Sequence, residues 1–357
     1  MESRRLLVVQ TAFLGDVILT LPLIQVLKRT FPQAEIDVVV IPGVADILKG
    51  HPAISKVIAF DKRGRDKGIG GLLRTARELR RNDYSAGFVP HRSLRSALLV
   101  RLAGIPERIG FNTSAGRMFL TSIVRYDKNI HEHRRNLRLL SGYVNGSEII
   151  ELGKDPEYPT LHPSTGDREV VDRFLTEHTV DESQRLIAIA PGTVWNTKRW
   201  LQERFSELTK MLLADGYRVA LVGSKADEDL CRGIANAAAD QRVFSAAGEL
   251  SVLQSAEMIR RCMVLVSNDS APVHIAVAMR TPVVAIFGAT VPAFGFAPYG
   301  ENDSVVEVND LPCRPCSIHG GDKCPIKTFD CMVRISAQEV YRRAQTTLER
   351  IRTKGGK

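Results

Sequence analysis

Four short segments carry polar side chains of the kinds that move a proton or bind a phosphorylated ligand. Each segment follows a short apolar run, so each marks the point where a strand ends. The segments are residues 11–16, 191–200, 221–229 and 267–274. Their residue types predict acid–base chemistry in the first segment and contacts to phosphate or ribose groups in the other three.

The first segment contains one glycine, Gly15, and one carboxylate, Asp16. A dinucleotide fingerprint needs three spaced glycines, and a phosphate-binding P-loop needs a Gly-Lys-Ser/Thr ending, so both are excluded here. Asp16 begins a predicted helix, where an aspartate often serves as a helix cap. Its alternative role is a general base that removes a proton from an acceptor hydroxyl.

The segment 191–200 combines Gly192, Thr193 and Lys198. Backbone N–H groups of the turn, the threonine hydroxyl and the lysine ammonium together suit a phosphate group. The alternative is a surface loop in which Trp200 covers the core.

The segment 267–274 leads from a strand into a helix whose first turn contains Pro272. Unpaired N–H groups at such a helix start bind anions, and Ser270 and His274 add a hydroxyl and a ring N–H. The alternative is ordinary capping by the polar residues, with His274 as a core histidine.

In the segment 221–229, Asp227 and Glu228 follow a strand that ends in Gly223. A carboxylate in this position can bind ribose hydroxyls. Acidic residues are also common at helix starts, and we predict no metal here.

Four of the six cysteines, Cys313, Cys316, Cys324 and Cys331, lie close together in the sequence. The opening C-x₂-C pattern is compatible with a zinc knuckle or a redox pair. We expect structural thiols and no required metal cofactor.

Apolar runs alternate with helical patterns along the whole chain, which predicts an α/β protein with doubly wound parallel sheets. A proline-rich and polar stretch over 154–167 indicates a linker, so a 357-residue chain is expected to form two domains. We predict domains at 1–160 and 168–335 that face each other across a cleft. A helix over 336–357 is expected to pack back on the first domain.

The net charge of +9 is confined to the first half, where residues 1–160 hold 25 Lys and Arg against 16 Asp and Glu. This imbalance predicts an acidic partner, such as a phosphorylated substrate or an anionic membrane, unless the arginines simply form a solvated face. Arginines without interleaved aromatics argue against nucleic acid. The sequence shows neither a membrane span nor a secretory leader, so we expect a cytoplasmic protein.

The motifs Leu14-Gly15-Asp16-Val17, residues 102–111, residues 191–200 and Asn268-Asp269-Ser270 occur in an order that resembles the ADP-heptose:lipopolysaccharide heptosyltransferases. These belong to glycosyltransferase family 9 and have the GT-B fold, and the resemblance is closest to the heptosyltransferase II branch. It implies inverting transfer of L-glycero-D-manno-heptose from ADP-heptose to the inner core of lipopolysaccharide.

The resemblance also implies roles for individual residues. Asp16 matches the family's base, and Lys198 would stabilise charge on the leaving diphosphate. The expected donor contacts in the second domain are Thr193, Lys198, Asp227 or Glu228, Asp269, Ser270, Ala271 and His274.

The acceptor implied by the resemblance is a phosphorylated glycolipid at the inner membrane surface, where the enzyme would work as a peripheral monomer. The candidate acceptor residues in the basic first domain are Arg92, Arg95, Arg117, His131 and Arg134. Two alternatives stay open: a GT-B transferase using another nucleotide sugar, and a non-catalytic nucleotide-binding module on anionic membranes.

Overall fold

The computed structural model describes residues 4–144, 157–181 and 185–355. The chain divides into two compact units, Met1–His162 and Pro163–Lys357, each built on one parallel sheet. The predicted fold class, with two Rossmann-like parallel-sheet domains, is confirmed. Residues 154–156 of the predicted linker and the chain ends at 1–3 and 356–357 lie outside the described residues.

The first unit contains a six-stranded parallel sheet in the order β3-β2-β1-β4-β5-β6. Its strands are short β-branched and apolar runs, and those at the centre of the sheet are buried on both faces, as parallel sheets require. The strands are β1 (Arg5–Val9), β2 (Glu35–Val40), β3 (Lys56–Ala59), β4 (Ala86–Val89), β5 (Glu107–Phe111) and β6 (Ser122–Val124). The helices are α1 (Leu14–Ile18), α2 (Leu21–Thr30), α3 (Gly68–Arg80), α4 (Leu94–Leu102) and α5 (Glu132–Arg138).

The second unit repeats this design with the order β12-β11-β10-β7-β8-β9. Its strands are β7 (Leu186–Ala190), β8 (Arg218–Leu221), β9 (Val243–Ser245), β10 (Leu265–Asn268), β11 (Val283–Phe287) and β12 (Ser304–Glu307). Its helices are α6 (Thr165–Glu177), α7 (Gln202–Ala214), α8 (Glu228–Ala238), α9 (Val252–Arg260), α10 (Ala271–Ala278), α11 (Asp330–Val333) and α12 (Ala337–Gly355). No helix in the described ranges is long and apolar enough to cross a bilayer.

The last helix, α12, contributes to the core of the second unit. It packs against α7 and β12, and its residues Val340, Ala344 and Leu348 are fully buried in the cluster that contains Trp200. Its apolar stripe at a spacing of three to four residues is what this burial requires. Packing of this helix on the first domain stays a prediction.

Three predicted element boundaries were wrong. The helical spacing of apolar residues from Val17 to Leu27 predicts one helix, but the structure has two, α1 and α2, because Pro22 has no N–H to continue the hydrogen bonding of α1. The strand predicted to end at Val266 continues to Asn268, so Ser267 and Asn268 belong to β10 rather than to a loop. The predicted linker ends early, because Ser164 and Asp167 form a capping box that starts α6 at Thr165.

Two adjacent glycines at the start of α3 give a test of the fold. A Cβ at Gly71 would lie 2.2 Å from the backbone carbon of Asp66, whereas a Cβ at Gly70 meets nothing within 4 Å. We expect Gly71→Ala to lower the free energy of unfolding by about 1–3 kcal/mol through overpacking. Gly70→Ala should raise it by about 0.5–1 kcal/mol, because alanine loses less backbone entropy in a helix. Urea unfolding of both variants measures this, and equal effects would contradict the packing described.

Candidate active site

Asp16 lies in α1, the first helix after β1, and is partly buried. Its Oδ2 accepts a hydrogen bond from the Phe13 backbone N–H at 3.2 Å. The structure therefore shows the helix-capping contact. That contact leaves the carboxylate able to accept further hydrogen bonds, because its two oxygens offer about four lone-pair positions.

The surroundings of Asp16 favour its protonated form. Burial raises the pKa of Asp16 to about 6, and the carboxylate of Glu132 adds to the rise. The Phe13 N–H and the guanidinium of Arg92 act in the opposite direction. A carboxyl group with a pKa close to neutral accepts a proton more readily than an ordinary aspartate, which suits a general base.

A buried polar network fixes the backbone that carries Asp16. The Thr20 hydroxyl donates to the Asp16 carbonyl at 2.8 Å and accepts from the Gln10 side-chain amide at 3.0 Å. The Asn136 amide donates to the Leu19 carbonyl at 3.0 Å, which joins α5 to the end of α1. The sequence did not reveal this network, because its members are separated by up to 126 residues.

Three of the predicted acceptor residues lie on neighbouring segments of the first unit. Arg92 stacks over the Tyr126 ring at 4.3 Å, and Arg95 donates to the Gly68 carbonyl at 3.0 Å. The exposed Arg117 follows closely on Ala115, whose N–H donates to the Arg92 carbonyl at 3.0 Å. These arginines thus share one surface of the unit.

The other two predicted acceptor residues, His131 and Arg134, lie at the start of α5. His131 is the N-cap residue of this helix, and Arg134 is exposed. Between them, Glu132 forms a buried ion pair with Arg135 at 2.8 Å and is the carboxylate that raises the pKa of Asp16. The start of α5 therefore acts electrostatically on the Asp16 loop.

In the second unit, Asn268 holds the segment 191–200 at both ends. Its side-chain N–H donates to the Pro191 carbonyl at 2.7 Å, and its Oδ1 accepts from the Trp200 N–H at 3.0 Å. Asn268 is fully buried at the end of β10. Asn268 therefore joins two segments, 191–200 and 267–274, that the sequence predicts as separate phosphate-binding sites.

Lys198 and Asp269 form an ion pair at the same edge of the sheet. The Lys198 Nζ lies 2.7 Å from Asp269 Oδ2, and both side chains are largely buried. The same oxygen accepts a hydrogen bond from the Thr290 hydroxyl at 2.6 Å. Asp269 therefore holds the lysine ammonium in place, and a cation so positioned can bind an anionic ligand.

The remaining predicted donor residues surround this pair. The Ser270 hydroxyl donates to the Asn268 carbonyl at 3.3 Å, Ala271 is the first residue of α10, and His274 is buried on that helix. The Thr193 carbonyl accepts from the Arg199 guanidinium at 2.8 Å. The structure thus brings all of these residues to the start of α10 and the loop after β7.

Of the two candidate ribose contacts, Asp227 is the one beside this loop. A Cβ at Gly192 would lie 2.0 Å from Asp227 Oδ1, so the carboxylate touches the glycine backbone. The other oxygen, Oδ2, accepts from the Ser224 N–H at 2.9 Å. Glu228 instead forms ion pairs with Lys225 at 2.5 Å and Arg232 at 2.7 Å.

The cysteine-bearing segment 313–331 packs on the same loop. The Thr197 N–H donates to the Gly321 carbonyl at 2.9 Å, and the Gly321 N–H donates back to the Thr197 hydroxyl at 2.8 Å. Arg314 is almost fully buried and donates to the Thr290 carbonyl at 2.7 Å and to Glu307 at 2.8 Å. All six cysteines are free thiols, and the described residues contain no group of three or more His, Cys, Asp or Glu arranged to hold a metal ion.

A family model described as glycosyltransferase family 9 (heptosyltransferase) matches residues 72–323. The chain belongs to glycosyltransferase family 9. It is therefore a glycosyltransferase, as the sequence resemblance predicted.

Individual family 9 relatives match most of the chain. It is 28% identical to lipopolysaccharide heptosyltransferase 2 of Salmonella typhimurium, over 81% of this chain and 84% of the relative. It is 32% identical to lipopolysaccharide heptosyltransferase 1 of Pseudomonas aeruginosa, over 87% of this chain and 86% of the relative. The solved structure of the Escherichia coli ADP-heptose lipopolysaccharide heptosyltransferase II superimposes with a TM-score of 0.79 at 24% identity, covering 98% of this chain and 99% of that one. This likeness confirms the GT-B fold of the chain.

The raised pKa of Asp16 predicts the pH dependence of this glycosyltransferase. Asp16 is the candidate base, and a base must be deprotonated to act, so we expect kcat/KM to fall as the pH drops through about 6. Replacing Glu132 by Gln removes a negative charge that raises this pKa, and the acidic limb should move to lower pH. Glu78→Gln, which changes an exposed carboxylate on α3, is the control and should leave the limb in place. An unchanged limb in Glu132→Gln would contradict the electrostatic coupling.

The hydrogen bond from Thr290 to Asp269 predicts a change in ligand affinity. Without the hydroxyl in Thr290→Val, the carboxylate pairs more closely with Lys198, and the ammonium becomes less available to a phosphate. We expect ADP to bind about tenfold more weakly, because the ligand site loses part of the roughly 1.5–3 kcal/mol that a hydrogen bond to a charged group contributes. Thr281→Val is the matched control, since Thr281 is also buried but donates to the Ile259 carbonyl at 2.9 Å. Calorimetric titration with ADP measures both affinities, and equal affinities would contradict the role of the Thr290–Asp269 hydrogen bond.

Proposed function

We propose that this glycosyltransferase moves L-glycero-D-manno-heptose from ADP-heptose to the inner core of lipopolysaccharide with inversion at the anomeric carbon. The observation that carries the proposal is the Lys198–Asp269 pair at the start of α10, where Lys198 Nζ and Asp269 Oδ2 lie 2.7 Å apart. A fixed cation beside a helix start suits the diphosphate of a nucleotide sugar. The relatives named as heptosyltransferases 1 and 2 support heptose as the transferred sugar.

In the proposed reaction, the acceptor hydroxyl oxygen attacks the anomeric carbon while its proton passes to the Asp16 carboxylate. The bond from that carbon to the diphosphate oxygen breaks, and ADP leaves with the electron pair. Lys198 and the N–H groups at the start of α10 would stabilise the charge that develops on the diphosphate. One positioned base contributes about 10²- to 10⁴-fold, so orientation and charge stabilisation must supply most of the acceleration.

The same proposal assigns roles to the other predicted residues. Thr193, Ser270, Ala271 and His274 would contact the donor. Asp227 is favoured over Glu228 as the ribose contact, because Asp227 lies against Gly192 whereas Glu228 is paired with Lys225 and Arg232.

The acceptor is proposed to be a phosphorylated inner-core glycolipid reached from the cytoplasmic face of the inner membrane. Arg92, Arg95 and Arg117, which share one surface of the first unit, are the favoured contacts. His131 and Arg134 at the start of α5 would add to them.

The test is transfer from ADP-heptose to a panel of truncated core acceptors, scored by mass spectrometry. We expect Asp16→Asn to lower the transfer rate by about 10²- to 10⁴-fold while ADP-heptose binding is retained. Asp46→Asn is the control, because Asp46 is an exposed carboxylate of the same unit paired with Lys49. Undiminished transfer by Asp16→Asn would contradict the base assignment. Transfer from another nucleotide sugar only would favour a GT-B transferase with a different donor. Donor binding without any transfer would favour a non-catalytic nucleotide-binding module.

A further inference from the structure

Three large apolar side chains of the first unit are exposed to solvent close to one another in the fold. Ile69 at the start of α3 is 76% exposed, Leu94 at the start of α4 is 49% exposed, and Met118 after β5 is 78% exposed. Each follows the carboxyl end of a parallel strand, so all three belong to the same edge of the sheet. Clustered apolar exposure of this kind marks an interaction site more often than scattered single residues do.

Direct contacts hold the three segments side by side. Arg95 on α4 donates to the Gly68 carbonyl next to Ile69 at 3.0 Å. The Ala115 N–H donates to the Arg92 carbonyl at 3.0 Å, and a Cβ at Gly116 would lie 3.1 Å from the Leu94 carbonyl oxygen. Residues 61–70, 91–95 and 115–118 therefore form one continuous surface, which we call the apolar-basic surface.

The charge of this surface is strongly positive. Its three segments contain seven Lys and Arg against two Asp. Both aspartates are engaged within the protein: Asp66 is buried and paired with Arg65 and Arg74, and Asp61 accepts backbone N–H bonds from Gly64 and Arg65. The surface thus presents cations to solvent beside the exposed aliphatic side chains.

We infer that the apolar-basic surface docks on an anionic lipid bilayer, with Ile69 and Met118 entering the headgroup region. The lysines and arginines can bind anionic lipid headgroups, and the aliphatic side chains among them can enter the apolar layer beneath. A nucleic-acid site would instead need aromatic side chains for base stacking, and the exposed side chains here are isoleucine, leucine and methionine.

The inference rests on the proposed function in one respect, because a membrane glycolipid acceptor gives the docking its purpose. The favoured acceptor contacts Arg92, Arg95 and Arg117 lie within the apolar-basic surface. Docking would therefore place the acceptor headgroup against the arginines proposed to bind it.

The experiment is co-sedimentation of the full chain with vesicles of phosphatidylcholine containing about 30 mol% phosphatidylglycerol, compared with pure phosphatidylcholine. We expect binding to the anionic vesicles only, weakening as salt rises from about 50 to about 500 mM. The double variant Ile69→Ser/Met118→Ser should bind about tenfold more weakly. The control Ile318→Ser/Ile326→Ser changes two side chains of the second unit that are 48% and 53% exposed, and should bind like the unaltered protein.

Two outcomes would overturn the inference: equal vesicle binding by Ile69→Ser/Met118→Ser and the unaltered protein, or failure of the unaltered protein to bind anionic vesicles. Tight binding of single-stranded RNA in the second case would assign the surface to nucleic acid instead. Both changed residues are exposed, and an unaltered melting temperature would show that the variant is folded.

Transfer assays separate this inference from the proposed function. With a deacylated, water-soluble acceptor, Ile69→Ser/Met118→Ser should keep the rate of the unaltered enzyme, and with a vesicle-embedded acceptor it should lose about tenfold. Asp16→Asn should lose transfer to both acceptors. If the unaltered enzyme transfers to neither acceptor but binds anionic vesicles through Ile69 and Met118, the proposed function fails and the docking surface stands.

Discussion

The parallel direction of the strands is the constraint on which the candidate site depends. In both units, neighbouring strands pair in parallel, so the loops that follow their carboxyl ends meet at a single edge. This arrangement brings Asp269 and Thr290, which follow β10 and β11, within 2.6 Å of each other although they are 21 residues apart. Once β10 and β11 pair in parallel, the polar residues that follow them, Asp269 and Thr290, lie close together.

Two aspartates show how surroundings determine what a carboxylate can do. Asp269 is held by the Lys198 ammonium and the Thr290 hydroxyl, so it serves to orient a cation. Asp16 lies near the carboxylate of Glu132, and burial raises the pKa of Asp16 to about 6. The first environment suits anion binding and the second suits proton uptake. The proposed transfer reaction needs both kinds of environment, and Asp16 lies in the first unit whereas Asp269 lies in the second.

Local sequence patterns were sufficient for the fold class and for most of the strands and helices near the site. The apolar run Val283–Phe287, for example, predicts a strand with the same bounds as β11. Patterns along the chain also indicated every loop that carries a candidate donor residue. They missed the end of β10, because Ser267 and Asn268 are polar residues buried in a strand, which apolar periodicity does not detect.

The supporting residues could not be predicted for a different reason. Thr290, Asn268 and Thr20 are common residue types whose importance comes from partners far away in the sequence. Asn268, for example, forms hydrogen bonds with Trp200 and Pro191, which lie 68 and 77 residues away in the sequence. Only the pairing of β10 with β7 defines that proximity. The preference for Asp227 over Glu228 as the proposed ribose contact also depends on a distant residue, because Asp227 lies against Gly192.

The contacts between residues 191–200 and the cysteine-bearing segment limit how this fold can be modified. Thr197 and Gly321 exchange two hydrogen bonds, and Arg314 joins the same segment to the loop that carries Thr290. Consider a chimera in which only the 191–200 loop is replaced by that of a relative. The new loop would meet a 313–331 segment from a different protein, and the hydrogen bonds between the two segments would not be matched. The two stretches form one module for sequence exchange, although 112 residues separate them along the chain.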